Sequence, residues 1–174
     1  MLTGGVAFGT MLGPFGPYVE QRFGPQWLWI TAAFFPAARM LVSFMSGLAA
    51  DYVGAEVVMI GAFAFASIGL AVAPEWPSPW AMALAAFALG ILQGSVPVAA
   101  TAMLGKSAER TRRALPHAMI FSFRDLGVTA AAMTALITHH RIGDFNPVFR
   151  AFALVFAACG LLAVILRRHA QERL

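Results

Sequence analysis

Two long apolar runs constrain this chain more than any other feature of its sequence. Residues 27–50 and residues 57–72 contain one charged side chain between them, that of Arg39. A run of about 20 apolar residues can cross the hydrocarbon core of a bilayer as a helix. The segment that joins the two runs, residues 47–56, is too short to do more than turn the chain. We therefore expect two antiparallel membrane spans joined by a tight turn.

The composition extends this expectation to the whole chain. Its 174 residues are 60% hydrophobic and 11% charged, whereas about 25% of residues are charged in ordinary soluble domains. A soluble domain of this length has too small a core to bury so much apolar surface. We therefore predict an all-α polytopic membrane protein embedded in a lipid bilayer. The net charge of +4 is expected to set its topology and does not indicate nucleic-acid binding.

Six apolar segments are predicted to form one transmembrane bundle over residues 1–174. Their continuous apolar character favours helices over the alternating strands of a β-barrel. The predicted helices are approximately residues 2–19, 27–50, 57–72, 79–104, 115–138 and 147–166.

The positions of the basic residues predict the orientation of the bundle. Cytoplasmic loops of membrane proteins carry an excess of Lys and Arg. Here the basic residues concentrate between the fourth and fifth helices and in the C-terminal tail, at Lys106, Arg110, Arg112, Arg113, Arg167, Arg168 and Arg173. Both termini and the turn at residues 47–56 are then expected to face the cytoplasm. We expect the membrane to be the plasma (inner) membrane of a bacterium.

The turn between the second and third helices carries a recognisable pattern. The spacing of Gly47, Asp51 and Gly54 resembles the cytoplasmic loop motif of the major facilitator superfamily, roughly G-x-L-A-D-R-x-G-R-K. The basic positions of that motif hold other residues here, as in the decayed copy found in the C-terminal half of the family. Asp51 lies where one helix ends, so its carboxylate could reach backbone N–H groups of the next turn or of a neighbouring helix.

Two further patterns extend the resemblance along the chain. The pair Gln93-Gly94 is similar to the end of the family's fourth-helix pattern, although no Arg precedes it. The G-x-x-x-G-P motif of antiporters does not follow Gly127. The chain thus resembles the C-terminal six-helix half of a twelve-helix transporter over its whole length.

This resemblance implies secondary active transport of a small solute by alternating access, coupled to an ion that we expect to be the proton. Gly47, Asp51 and Gly54 would act at the cytoplasmic gate. The partner would be a second copy of the chain, forming a homodimer, or a separate N-terminal half. The alternative is a non-transporting membrane module or truncated remnant that serves as a structural partner. The sequence indicates neither the substrate nor the direction of transport.

Helices 1 and 4 are the ones that the resemblance places around the central cavity. In helix 1, Gly9 and Gly13 belong to a small-residue stripe followed by Pro14. Such a stripe indicates either close helix packing or a broken helix at a transport site. In helix 4, Gln93 and Ser95 are candidates to bind a polar solute, and an interhelical hydrogen bond explains Gln93 equally well.

Three charged residues lie deep in apolar segments, namely Arg39, Arg124 and Asp125. Each charge costs about 2.5–3.5 kcal/mol near the bilayer centre on insertion scales, so each needs a partner or water. They indicate either a structural ion pair or a substrate and proton site. Because adjacent residues of a helix do not face each other, we expect Arg124 and Asp125 not to neutralise one another. The resembled packing would instead bring Arg39 of one copy to Asp125 of another. His117 is a possible proton relay or an interfacial histidine.

Catalytic and metal sites are not indicated. The sequence has no P-loop and no cluster of metal-ligand residues suited to a hydrolase. The single cysteine, Cys159, lies in an apolar run and provides neither a disulfide nor a thiolate metal site. The adjacent pair His139 and His140 lacks further ligands at suitable spacing. We therefore predict no enzymatic activity, no cofactor and no metal.

Overall fold

The computed structural model describes residues 1–76, 78–107 and 114–171, and for residues 104–107, 114–117, 120, 170 and 171 it describes the backbone alone. Every regular element within this part of the chain is helical. The helices are α1 (Leu2–Thr10), α2 (Gly16–Phe23), α3 (Pro25–Val53), α4 (Ala55–Val72), α5 (Pro79–Ser107), α6 (Ala114–Ile142) and α7 (Asn146–Gln171).

The first membrane segment consists of α1 and α2 joined by a π-helical turn, Met11–Phe15. Pro14 lies inside this turn. Proline has no N–H to donate and its ring clashes with the preceding helical turn, so a regular α-helix cannot pass through it without distortion. A single π-helical turn accommodates one such irregularity while the chain stays helical on both sides. The segment therefore extends to Phe23, beyond the expected end at residue 19.

Two glycines end helices where the chain changes direction. Gly24 has φ +93° and lies between α2 and α3, and Gly54 has φ +93° and is the single residue between α3 and α4. This backbone region is open to glycine and strained for other residues. The turn predicted for residues 47–56 is thus much shorter than expected, because α3 continues through Gly47 and Asp51 to Val53.

Three sets of helix contacts hold the bundle together. Helix α3 packs along α5, α1 packs along α6, and α4 packs between α5 and α7. The core is filled mainly by aromatic and aliphatic side chains, among them the fully buried Phe15, Leu70, Met82, Leu89, Phe149 and Phe156. The hydroxyl of Ser67 in α4 donates a hydrogen bond of 2.9 Å to the carbonyl oxygen of Ala153 in α7.

The end of the bundle that carries Gly24 and Gly143 is here called the far end. It is fixed by polar and aromatic contacts. Tyr18 of α2 meets Phe149 of α7 edge to face, with ring centroids 5.1 Å apart. Arg150 of α7 forms an ion pair with Glu75, and its Nε donates to the Glu75 carboxylate at 3.0 Å.

Four helices among the described residues are long and apolar enough to cross a membrane. They cover Pro25–Val53, Ala55–Val72, Pro79–Met103 and Asn146–His169. The all-α, membrane-spanning class predicted from the sequence is confirmed, and the count of six spans is approximate. The first segment is divided by the π-helical turn, and α6 carries Arg124 and Asp125 in its interior.

Candidate functional site

Arg39 lies at the middle of α3, an apolar helix of 29 residues. It is 14 residues from Pro25 and 14 residues from Val53, which places it about 21 Å from each end of α3 at 1.5 Å per residue. Its side chain is exposed on the surface of the bundle. The two ion pairs found among the described residues, Arg124–Asp125 and Arg150–Glu75, do not include it.

The backbone around Arg39 is in direct contact with two glycines of α5. A methyl group on Gly90 would overlap the carbonyl oxygen of Phe35 and lie 2.7 Å from the Cβ of Ala38. A methyl group on Gly94 would lie 2.9 Å from the carbonyl oxygen of Arg39. Gly90 and Gly94 form a G-x-x-x-G pair, the pattern that allows two membrane helices to pack backbone to backbone. Our sequence reasoning missed this role, although the spacing is visible in the sequence.

Gln93 and Ser95 are buried in α5, with relative exposures of 3% and 2%. The Oε1 atom of Gln93 has no hydrogen-bond partner within the described part of the chain. A methyl group on Gly4 would come within 3.2 Å of this oxygen. Gln93 therefore lies at the contact between α1 and α5, inside the bundle.

The glycine stripe of the first segment packs against α6. A methyl group on Gly5 would overlap the carbonyl oxygen of Arg124, and one on Gly9 would lie 2.6 Å from the carbonyl oxygen of Val128. Gly127 provides the same closeness from the other side, because a methyl group there would overlap the carbonyl oxygen of Leu2. The stripe therefore packs closely against α6, and a role of this segment at a transport site stays a prediction. Pro14 adds the π-helical turn at its end.

Arg124 and Asp125 form an ion pair within α6, so the expectation that these neighbours would not neutralise one another was wrong. Nη2 of Arg124 lies 2.9 Å from Oδ1 of Asp125, and its Nε donates to the same oxygen at 3.1 Å. The long arginine side chain bends around the helix surface to reach its neighbour, which a comparison of Cβ directions does not anticipate. The side chain of Arg124 is 33% exposed and that of Asp125 is 66% exposed.

Helix contacts place the charged residues and Gln93 at one level of the bundle. Arg39 meets Gly94, the neighbour of Gln93, and Gln93 meets Gly4. Gly5 then meets Arg124. These polar groups thus lie at a similar level on α3, α5, α1 and α6, among buried apolar neighbours such as Val6 and Leu92.

The remaining predicted site residues lie toward the ends of the helices. Gly47 is inside α3, where a methyl group would make an ordinary contact of 3.9 Å with Val98. Asp51 is exposed in the last turn of α3, next to Gly54. His117 belongs to α6, but its side chain is outside the described residues. The described residues contain no group of three or more potential metal ligands.

Comparisons with known proteins identify the family. No curated protein and no solved structure matches the chain significantly. The family model described as Major Facilitator Superfamily matches residues 3–173, nearly the whole chain. The chain is therefore an integral membrane protein that belongs to the major facilitator superfamily, a family of transporters.

Proposed function

We propose that this chain forms one of two six-helix bundles of a secondary active transporter, which moves a small solute by alternating access between them. The observation that carries the proposal is the exposed Arg39 at the middle of α3. A lipid-facing arginine at that depth costs about 2.5–3.5 kcal/mol on insertion scales. A second bundle that covers α3 removes this cost if it supplies water or a carboxylate at the same depth.

The acidic residues of the chain make a second copy a specific candidate for that partner. Glu20, Asp51, Glu56, Glu75 and Asp144 lie at or near helix ends, Glu109 and Glu172 lie in the predicted loop and tail, and Asp125 is in a helix interior. Arg39 and Asp125 share one level of the bundle but belong to helices that do not pack on each other. A two-fold pairing of copies would bring each Arg39 to the partner's exposed Asp125. A separate N-terminal half that carries an acid at this depth is the other possibility.

Asp125 is the best candidate for coupling to protons. Its carboxylate is largely exposed on the bundle surface, and its partner Arg124 is held beside it. Proton uptake by Asp125 would release the guanidinium group to a solute or to the second bundle. The Asp125→Asn variant is expected to lose pH-driven transport in proteoliposomes while keeping its fold. Transport that still follows an imposed pH gradient in this variant would exclude the proton role.

The ion pair within α6 also favours a second candidate, a membrane module that does not transport. Arg124 and Asp125 satisfy each other without any solute, so a purely structural pair explains them as well. Reconstitution separates the two functions. Solute flux across proteoliposomes that contain the purified chain, or the chain with a co-expressed second half, supports transport. A stable bundle without flux in both preparations supports the structural module.

The partner is tested by the mass of the purified chain in nanodiscs. A homodimer is expected if a second copy covers α3, and Arg39→Asp is then expected to weaken it. The double variant Arg39→Asp with Asp125→Arg restores opposite charges at the same level and is expected to restore the dimer. A dimer that Arg39→Asp leaves intact argues against the contact between Arg39 and Asp125, and a chain that is always monomeric argues against a second copy as the partner.

We also propose a topology. Both termini and the Gly54 turn lie on the cytoplasmic side of a bacterial inner membrane, and the far end lies on the opposite side of that membrane. The distribution of basic residues supports this orientation. In a Cys159→Ser background, a cysteine at Ser78 is expected to react with an impermeant maleimide in whole cells. A cysteine at Glu56 is expected to react after lysis alone. The reverse pattern would invert the topology.

A further inference from the structure

The charges in the interior of the membrane segments do not balance. Arg39 and Arg124 each carry a positive charge, and Asp125 carries a negative one. The contact of Gly94 with Arg39 and the contact of Gly5 with Arg124 place these side chains at a similar level of the bundle. Each copy of the chain therefore brings an excess of one positive charge to this level.

No pairing within the chain, or between two copies of it, removes this excess. In the structure Asp125 pairs with Arg124 at 2.9 Å, and Arg39 is outside the two ion pairs of the described residues. If Asp125 pairs instead with Arg39 of a second copy, Arg124 loses its carboxylate. A carboxylate that both arginines share still supplies a single negative charge. The other acidic residues lie at or near helix ends, or in the predicted loop and tail.

The depth of Arg39 argues against lipid headgroups as the source of the missing negative charge. Long side chains near helix ends reach the headgroups, but Arg39 is about 21 Å from each end of α3. A net charge inside the hydrocarbon is costly, and charged residues at such depth commonly mark the path of a substrate or an ion. A solute that enters beside α3 is therefore the simplest source of the missing charge.

We propose that the transported solute is a monovalent organic carboxylate with an apolar body, bound by the arginine that Asp125 leaves free. This inference rests on the transport function proposed above. A guanidinium group presents its N–H donors in a planar fork that matches the two oxygens of a carboxylate. Large apolar side chains are exposed next to both arginines. Met40 follows Arg39, and the ring of Phe121 lies 5.2 Å from the guanidinium carbon of Arg124.

The test measures binding of three probes of similar size to the chain in nanodiscs, in the assembly that the mass measurement identifies. The probes are benzoate, which is an anion, benzamide, which is neutral and has the same shape, and benzylammonium, which is a cation. Equilibrium dialysis is run in chloride buffer at neutral pH, with empty nanodiscs as the reference for partition into lipid. We expect saturable binding of benzoate alone. The absence of saturable benzoate binding, or equal binding of benzamide or benzylammonium, overturns the proposal.

Three variants test whether the excess charge is what binds benzoate. Arg39→Gln leaves Arg124 balanced by Asp125 and should weaken benzoate binding about ten- to hundredfold, the range for hydrogen bonds to a charged group. Arg141→Gln removes an exposed arginine near the end of α6. It changes the net charge by the same amount and should bind like the unmodified chain, as a matched control. Asp125→Asn removes the competing carboxylate and should strengthen binding.

The Asp125→Asn variant also separates charge from assembly, because both it and Arg39→Gln remove one side of a contact between copies. A loss of benzoate binding in both variants would show that assembly controls binding, and would overturn the proposal. Transport and carboxylate binding can fail separately. Solute flux in proteoliposomes without a preference for benzoate in dialysis would refute the carboxylate and leave transport standing. Benzoate binding that depends on Arg39, without flux of benzoate, would retain the carboxylate site and count against transport.

Discussion

Replacement of Gly90 by alanine should separate α3 from α5 at the depth of Arg39. The added methyl group would overlap the carbonyl oxygen of Phe35 and lie 2.7 Å from the Cβ of Ala38. Ordinary contacts begin at 3.4 Å, so relief of the Ala38 contact alone requires a separation of roughly 0.7 Å, the difference between 3.4 and 2.7 Å, and the overlap with the oxygen of Phe35 requires more. Both clashing atoms are backbone or Cβ atoms, so no change of rotamer relieves the overlap. Overpacking of this kind typically costs about 1–3 kcal/mol.

Gly61 provides a matched control, because it lies inside α4 and a methyl group there would meet nothing within 4 Å. Both Gly90→Ala and Gly61→Ala gain the same helix propensity, about 0.5–1 kcal/mol. That gain cancels in the difference between the variants, which isolates the overpacking cost of about 1–3 kcal/mol. The assay is reversible unfolding of the purified chain in mixed micelles, followed by circular dichroism. Free energies of unfolding that agree within about 0.5 kcal/mol would show that α3 and α5 are not in backbone contact, and would refute the argument.

Two other predictions follow from the contacts of the first segment with α5 and α6. In a Cys159→Ser background, two cysteine pairs should each form a disulfide, namely Gly4→Cys with Val96→Cys and Gly13→Cys with Ala132→Cys. Their Cβ positions are 3.9 Å and 3.8 Å apart, within the usual range of about 3.5–4.5 Å. Gel mobility with and without reductant measures disulfide formation, and failure of either pair contradicts the local register. Gln93→Leu removes a buried oxygen that has no described partner, so the free energy of unfolding should stay within about 0.5 kcal/mol of that of the unmodified chain or increase. A decrease of more than about 1.5 kcal/mol in the same micelle unfolding assay would mean that this oxygen has a partner.

Apolar run length was sufficient to predict the fold class, because a bilayer leaves a chain few ways to satisfy its backbone. The ends of the helices were less predictable. The segment from Gly47 to Asp51 looked like part of a turn, yet the structure continues α3 until Gly54, whose positive φ ends it. Glycine and aspartate are disfavoured inside isolated helices by about 1 kcal/mol or less each, and a 29-residue helix packed along α5 readily overcomes this preference.

The site was predictable in its residues and less so in its pairings. The charges at Arg39, Arg124 and Asp125 were evident because they interrupt apolar runs. The contact between Arg124 and Asp125 was not, because it depends on the path of a flexible side chain rather than on helix geometry. The position of His139 beside Phe145 was equally hidden, since the stack forms across a turn that ends α6. Periodicity locates residues on a helix face but does not describe what a long side chain reaches.

The packing also limits how this bundle can deform if it takes part in alternating access. Backbone contacts at Gly90 and Gly94 join α3 to α5, and contacts at Gly5 and Gly9 join α1 to α6. Helices in backbone contact have no compressible side chains between them, so each pair must move as a unit. Between the pairs, α1 meets α5 through the side chains of Gln93 and Val96, and Phe8 of α1 stacks on Phe35 of α3. A change in the relative position of the two pairs would therefore be taken up at these side chains, because a side-chain contact can rearrange where a backbone contact cannot.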